Sequence, residues 1–228
     1  MRNAPRPSAA LALKGIFTVA DLDAEMITLN SRRYPMGRPA VFTGVDSDLS
    51  VPENQTAVQT IEAIGFGPIG YEIVGGADAA AFQIDPESGD LTFASAPNFE
   101  SPGDADGDNI YEVRVGAGSQ LGVGKTNEVT IRVTVTNANE APVITSSATW
   151  SVTAPATAVG TMTSTDPDAG ATKTWSISGG AQAALFQIDA STGVLSFKSA
   201  STAGSKAVTV AVSDGTNTTT KALTVTVS

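Results

Sequence analysis

The sequence predicts an all-β protein: two tandem Greek-key β-sandwiches preceded by an irregular N-terminal arm. Three observations predict it. Gly75–Ala96 (GGADAAAFQIDPESGDLTFASA) and Gly179–Ala200 (GGAQAALFQIDASTGVLSFKSA) agree at fourteen of 22 positions, so the chain contains an internal duplication. Short runs of alternating β-branched or aromatic residues recur between Gly, Pro, Asn and Asp clusters, at about seven strands per copy. The composition also changes at residue 38, where a basic, Pro-containing stretch gives way to an acidic body. The chain accordingly divides into an anchoring arm (residues 1–38), a first domain with its linker (39–140) and a second domain (141–228).

The arm reads as extended over Met1–Ser8, with short helix-compatible stretches at Ser8–Gly15 and Val19–Ile27. Arg32, Arg33, Tyr34 and Arg38 lie in a basic, turn-rich connector and are the candidate docking residues for a partner subunit. Each copy then opens on a short strand after proline, at Pro39–Thr43 and Pro142–Thr145. Ser50-Val51 and Ala57-Val58 find their echo in Ser151-Val152 and Ala158-Val159. Aromatic residues head the next strands, Tyr71-Glu72-Ile73 and Trp175-Ser176-Ile177, and are assigned to the core. Phe82-Gln83-Ile84-Asp85 and Leu91-Thr92-Phe93 flank Pro86–Gly89, an alternation that predicts a hairpin over a core. Gly89 and its counterpart Gly193 are expected to supply a positive φ at the turn. The first copy closes with Tyr111–Val115 and Glu128–Thr136, the second with Lys206–Ser213 and Ala222–Val227. Between the copies, Thr136–Pro142 is a short tether of oxygen-bearing and small side chains, suited to a hard cation held at a junction.

Composition excludes several chemistries. Without Cys there is no disulfide framework and no thiolate metal site. Without His as well, there is no Ser-His-Asp triad, no Cys-His pair and no ordinary zinc site, and the chain reads as a non-enzyme. The net charge of −10 is unevenly spread. Residues 1–38 carry six Lys or Arg against three Asp or Glu, and residues 39–228 carry seven against twenty. An acidic body repels nucleic acid and anionic lipid and holds cations. No apolar run approaches the roughly 20 residues of a membrane span. Pro5, Pro7 and Lys14 interrupt the start of the chain, which predicts no signal peptide.

Val51-Pro52-Glu53-Asn54, Phe82–Asp85 with Gly89-Asp90-Leu91, Asn98-Phe99-Glu100 and Asn137-Ala138-Asn139-Glu140 together resemble the cadherin repeat, especially its bacterial and phage versions. The resemblance covers about Pro39–Ser228 and implies a cadherin/immunoglobulin-like sandwich with calcium between repeats. On this basis Glu53 matches the glutamate of the family's Pro-Glu-Asn motif and Glu100 that of its Leu-Asp-Arg-Glu motif. Asn98 stands where that second motif has Asp. Asn137, Asn139 and Glu140 match the linker, with Asn and Glu replacing two aspartates. Asp166 and Asp168 match the Asp-x-Asp motif, and Asp214 the late aspartate. Calcium takes six to eight oxygens from carboxylates, amides and carbonyls, and this set supplies them. The outer end of each copy lacks the motifs: Ala154 replaces Glu53, while Ile64-Gly65 and Ala117–Ser119 replace the two aspartate motifs. One junction site is therefore expected. Asp104, Asp106 and Asp108 form a second candidate metal loop, similar to the opening of an EF-hand loop but without its distal glutamate or flanking helices.

The arrangement points to a structural and adhesive surface protein. The reading drawn from it is a phage virion component, a capsid decoration or tail-associated subunit. Residues 1–38 would dock on other subunits, and a cell-surface protein or glycan would be the distal ligand. Its place would be the virion surface. The alternatives are a fragment of a bacterial cell-surface adhesin, extracellular, and a carbohydrate-binding module using Trp150.

Overall fold

The computed structural model describes residues 28–29, 32–33, 37–122 and 126–228, with backbone alone at 28–29 and 32–33. The helix-compatible stretches of the arm and Tyr34 lie outside the described residues. The start of the basic connector takes part in a strand pairing that the sequence did not suggest: β1 (Thr28–Leu29), just before it, pairs antiparallel with β2 (Arg32–Arg33). Arg38 is exposed.

The rest forms two compact units. The first takes the described residues up to Val51 with Gln55–Pro97 and Gly103–Val135; the second takes Pro52–Asn54, Asn98–Pro102 and Thr136–Ser228. Strands in chain order are β3 (Val41–Phe42), β4 (Asp48–Pro52), β5 (Ala57–Thr60), β6 (Ala63–Ile64), β7 (Ile69–Gly75), β8 (Phe82–Ile84), β9 (Asp90–Phe93), β10 (Ile110–Ser119) and β11 (Asn127–Thr136). The second series is β12 (Val143–Ile144), β13 (Thr149–Val152), β14 (Ala158–Thr161), β15 (Ser164–Thr165), β16 (Thr174–Gly179), β17 (Phe186–Ile188), β18 (Val194–Phe197), β19 (Gly204–Ser213) and β20 (Thr218–Val227).

The two series repeat one topology. One layer of the first sandwich is ordered β4-β11-β10-β7, and the other is built from β5-β9-β8 with β3-β6. In the second, β13-β20-β19-β16 faces β14-β18-β17 with β12-β15. The chain is thus all-β, in two tandem Greek-key β-sandwiches.

Alternation explains the cores. Tyr111, Val113, Val115 and Ala117 of β10 point inward with Ile131, Val133 and Val135 of β11. Val208, Val210 and Val212 with Leu223, Val225 and Val227 repeat this on β19 and β20. The predicted hairpin is present in both units, with Phe82 opposite Phe93 and Phe186 opposite Phe197. The rings stack at centroid distances of 4.7 Å and 4.5 Å, and Tyr111 meets Phe93 edge-on at 5.1 Å.

Gly89 and Gly193 have φ of 77° and 72°, and a Cβ there would strike the Ile61 or Met162 carbonyl oxygen. Trp150 packs against the second core over Gly160 and donates its indole N–H to the Ser147 carbonyl at 2.9 Å. Its ring is therefore a packing element rather than an exposed platform for sugars.

Candidate metal centre

The second unit gathers the acidic residues that the sequence singles out. Glu53 follows β4 directly and retains 1% of its surface exposed. Such a carboxylate needs donors, and two backbone N–H groups supply them: Phe99 donates to Oε2 at 2.8 Å and Ala138 to Oε1 at 2.9 Å. Glu53 also ties its own N–H to the Thr136 carbonyl at 3.0 Å. One side chain therefore fixes the Asn98–Pro102 loop and the Thr136–Glu140 segment. Asn54, beside it, adopts a φ of 63°, a left-handed conformation that Asn tolerates better than most residues.

Glu53, Glu100 and Glu140 each offer an oxygen within 4.8 Å of the others. Glu100 Oε1 accepts from Asn137 Nδ2 at 2.7 Å, and Glu140 Oε1 from Asn54 Nδ2 at 2.7 Å. Asp168 accepts from Asn137 Nδ2 at 2.8 Å and from the Glu140 backbone N–H at 2.8 Å. Asp166 caps the turn by accepting the Asp168 N–H at 3.2 Å. Asp214 accepts Asn139 Nδ2 at 2.9 Å, with the Asn217 and Thr216 N–H groups on its other oxygen at 2.6 and 2.7 Å. The eight predicted residues thus belong to one connected network. Asn54 and Asn217 join it unforeseen, the latter through a 3.3 Å bond from Nδ2 to the Asn139 carbonyl.

Three carboxylate oxygens in this network are buried and without a hydrogen-bond partner: Glu100 Oε2, Glu140 Oε2 and Asp166 Oδ2. Oxygens of this kind cost free energy unless a donor or a cation meets them. Burial pushes the Glu100 carboxyl above its usual range, the Glu100 backbone N–H pulls it back in part, and the charges of Glu53, Glu140 and Asp168 push it further up. The Asp214 carboxyl is held below its usual range by the Asn139 amide and then by the Asn217 N–H. The donor set is entirely oxygen, which fits a hard cation and does not suit zinc.

The second candidate loop lies in the first unit, where Asp104, Asp106 and Asp108 each offer an oxygen within 4.8 Å of the others. Here two of the three carboxylates, those of Asp104 and Asp108, are engaged by backbone N–H groups at the end of the loop. Asp104 accepts the Asp108 N–H at 2.8 Å, and Asp108 accepts the Ile110 N–H at 2.8 Å. Asp78, 8% exposed, clamps the loop by accepting the Ala105 and Glu112 N–H groups at 2.7 Å each. These bonds describe a self-capped acidic turn.

No protein-family model matches the chain, and no curated protein matches it. Solved structures resemble it in fold. The crystal structure of human protocadherin-24 EC1-2, form II, superposes with a TM-score of 0.53 at 17% identity, covering 82% of this chain and 97% of that one. A second structure of human protocadherin-24 EC1-2 gives a TM-score of 0.50 at 18% identity, over 83% and 97%. Mouse cadherin-23 EC22-24 gives 0.46 at 22% identity, over 85% of this chain and 65% of that one.

Proposed function

Given a cadherin-like fold, we propose that this chain is a structural protein whose second unit binds calcium through Glu53, Glu100, Asn137, Asn139, Glu140, Asp166, Asp168 and Asp214. The observation that carries this reading is the set of three buried, unpartnered carboxylate oxygens on Glu100, Glu140 and Asp166. Calcium, when bound, supplies a hard positive charge with room for six to eight oxygen ligands. The chain's own residues do the positioning. Glu53 holds two loops by their backbone N–H groups, and Asp168 holds the Glu140 backbone. Pro52–Asn54 and Asn98–Pro102 are covalently continuous with the first sandwich. A cation that added its bonds to those already holding these segments would therefore further restrict how freely the two sandwiches hinge. At free calcium ten times the dissociation constant, the stabilisation is about 1.4 kcal/mol, small for folding but sufficient to bias a hinge.

Glu140→Ala combined with Asp168→Ala is expected to abolish calcium-dependent compaction in X-ray scattering while circular dichroism still reports folded sandwiches. Unchanged compaction in the double variant refutes the reading.

The role that fits such a protein is adhesive and structural, outside the cell. Its basic leading segment, six Lys or Arg within residues 1–38 against an acidic remainder, supports docking of that segment on a larger assembly. Within this reading the assembly is a phage virion. Sedimentation of native material, followed by peptide mass spectrometry, tests it. Co-migration with a particle at fixed stoichiometry, lost on deleting residues 1–38, supports it. Recovery in the cell envelope favours a bacterial surface adhesin instead.

A further inference from the structure

We propose that the asparagines of this site act as an internal substitute for the cation, closing the cluster when no metal is bound and yielding when one enters. The inference rests on the calcium reading above. Four of the acidic groups accept a side-chain amide N–H, and the donors are all asparagines. Asn137 spends both Nδ2 hydrogens, on Glu100 at 2.7 Å and on Asp168 at 2.8 Å. Asn54 donates to Glu140 at 2.7 Å, and Asn139 to Asp214 at 2.9 Å. Among the described residues the ion pairs are Arg114 with Glu128 and Arg132 with Glu112, both within the first unit and neither involving a residue of this cluster. The mutual repulsion of its carboxylates is therefore met by neutral amide donors and backbone N–H groups rather than by Lys or Arg.

An asparagine amide has two faces of opposite character. Its NH₂ carries two donors and its oxygen two acceptor lone pairs, so rotation of about 180° about the terminal torsion exchanges one for the other. With the NH₂ inward, Asn137 bridges two carboxylates and keeps the Asn98–Pro102 loop beside Asp168. With the oxygen inward, the same residue becomes a hard-cation ligand. Aspartate at 137 or 139 would offer oxygen in both orientations, improving the loaded site and leaving the empty one to repel itself. The asparagines trade affinity for a cluster that stays folded when empty. Asn137 carries most of this, because it alone of the three joins two carboxylates.

The test uses the full chain labelled with ¹⁵N. Asn137 side-chain amide signals, assigned by their loss in Asn137→Asp, are recorded in EDTA and through a calcium titration, with uptake measured in parallel by calorimetry. The expected result is an Asn137 amide protected from solvent exchange in EDTA, with protection lost as calcium saturates. Asn137→Asp is expected to melt earlier than wild type in EDTA and to bind calcium about tenfold more tightly, through added ligand charge. An unprotected amide in EDTA, or calcium uptake that leaves the amide signals unmoved, overturns the substitution mechanism alone. No uptake by wild type or by Asn137→Asp overturns both this inference and the calcium reading.

Discussion

Glu53 shows how much a single buried carboxylate can organise. Removing it leaves the Phe99 and Ala138 N–H groups without their acceptor, and hydrogen bonds to charged groups contribute about 1.5–3 kcal/mol each. Glu53→Ala should therefore cost about 3–6 kcal/mol in urea unfolding performed in EDTA, and Glu53→Gln should cost less because one oxygen remains. A cost below about 0.5 kcal/mol would show that these two hydrogen bonds contribute little to folding. The duplicate carries Ala154 at the matching place, its N–H donating to the Ser228 carbonyl at 2.7 Å as Glu53 donates to Thr136. The Pro-Glu-Asn triplet singled out Glu53 as a candidate site residue. Its partners were not legible, because they lie 46 and 85 positions away, and only the fold brings such separations together. Asn54 was missed for a related reason: its amide reaches Glu140 across 86 positions.

Within the elements, the repeated hairpin turn carries the most portable chemistry. Asp85 accepts the Ser88 N–H at 2.7 Å and the Glu87 N–H at 2.9 Å. Asp189 accepts the Thr192 and Ser191 N–H groups at 2.8 and 3.0 Å, and the Thr192 hydroxyl at 2.8 Å. The Ser88 N–H first, then that of Glu87, holds the Asp85 carboxyl below its ordinary value of 3.8. Thr192, by its N–H and its hydroxyl, does the same for Asp189. A carboxyl depressed by folding contributes stability that is present in full above its unfolded value, and that is lost as pH falls through its lower folded value. Urea midpoints of the wild type should thus decline below about pH 4, and Asp85→Asn with Asp189→Asn should flatten that decline. Equal declines in wild type and double variant would place the acid sensitivity elsewhere. Alternation and the Asp-to-Gly spacing made this hairpin readable from the residues alone. What they could not show is why the glycine is demanded beyond its φ: the Ile61 and Met162 carbonyls press on it from just past β5 and β14. The β1–β2 pairing was likewise hidden, because two-residue strands leave too short a pattern to read.

For the molecule as a whole, each sandwich has its own core. Phe82, Phe93, Tyr111 and Ile131 belong to the first, and Phe186, Phe197, Trp175 and Leu223 to the second. Phe82→Ala and Phe186→Ala should each cost about 3–5 kcal/mol, and each should lower a different transition in calorimetry. Both variants shifting one shared transition would mean that the sandwiches unfold together. The duplication and the fold class were legible because hydrophobic alternation survives sequence divergence. The grouping of Pro52–Asn54 and Asn98–Pro102 with the later residues was not, since hydrogen bonds rather than patterns draw them there.

The clamp at Asp78 bears on how the two halves have come to differ. At the matching position Gln182 accepts the Ala207 N–H at 2.7 Å, doing with one amide oxygen part of what Asp78 does with two carboxylate oxygens. The surrounding cassette is alike at fourteen of 22 positions, so an exchange between the halves would carry over the phenylalanines, isoleucine and leucine of the hairpin core but not the hydroxyl bonds to Asp90, which Val194 cannot accept. It would not be silent. A first sandwich with glutamine at 78 would keep its core and give up one of the two backbone bonds by which Asp78 ties the Asp104–Asn109 loop to β10.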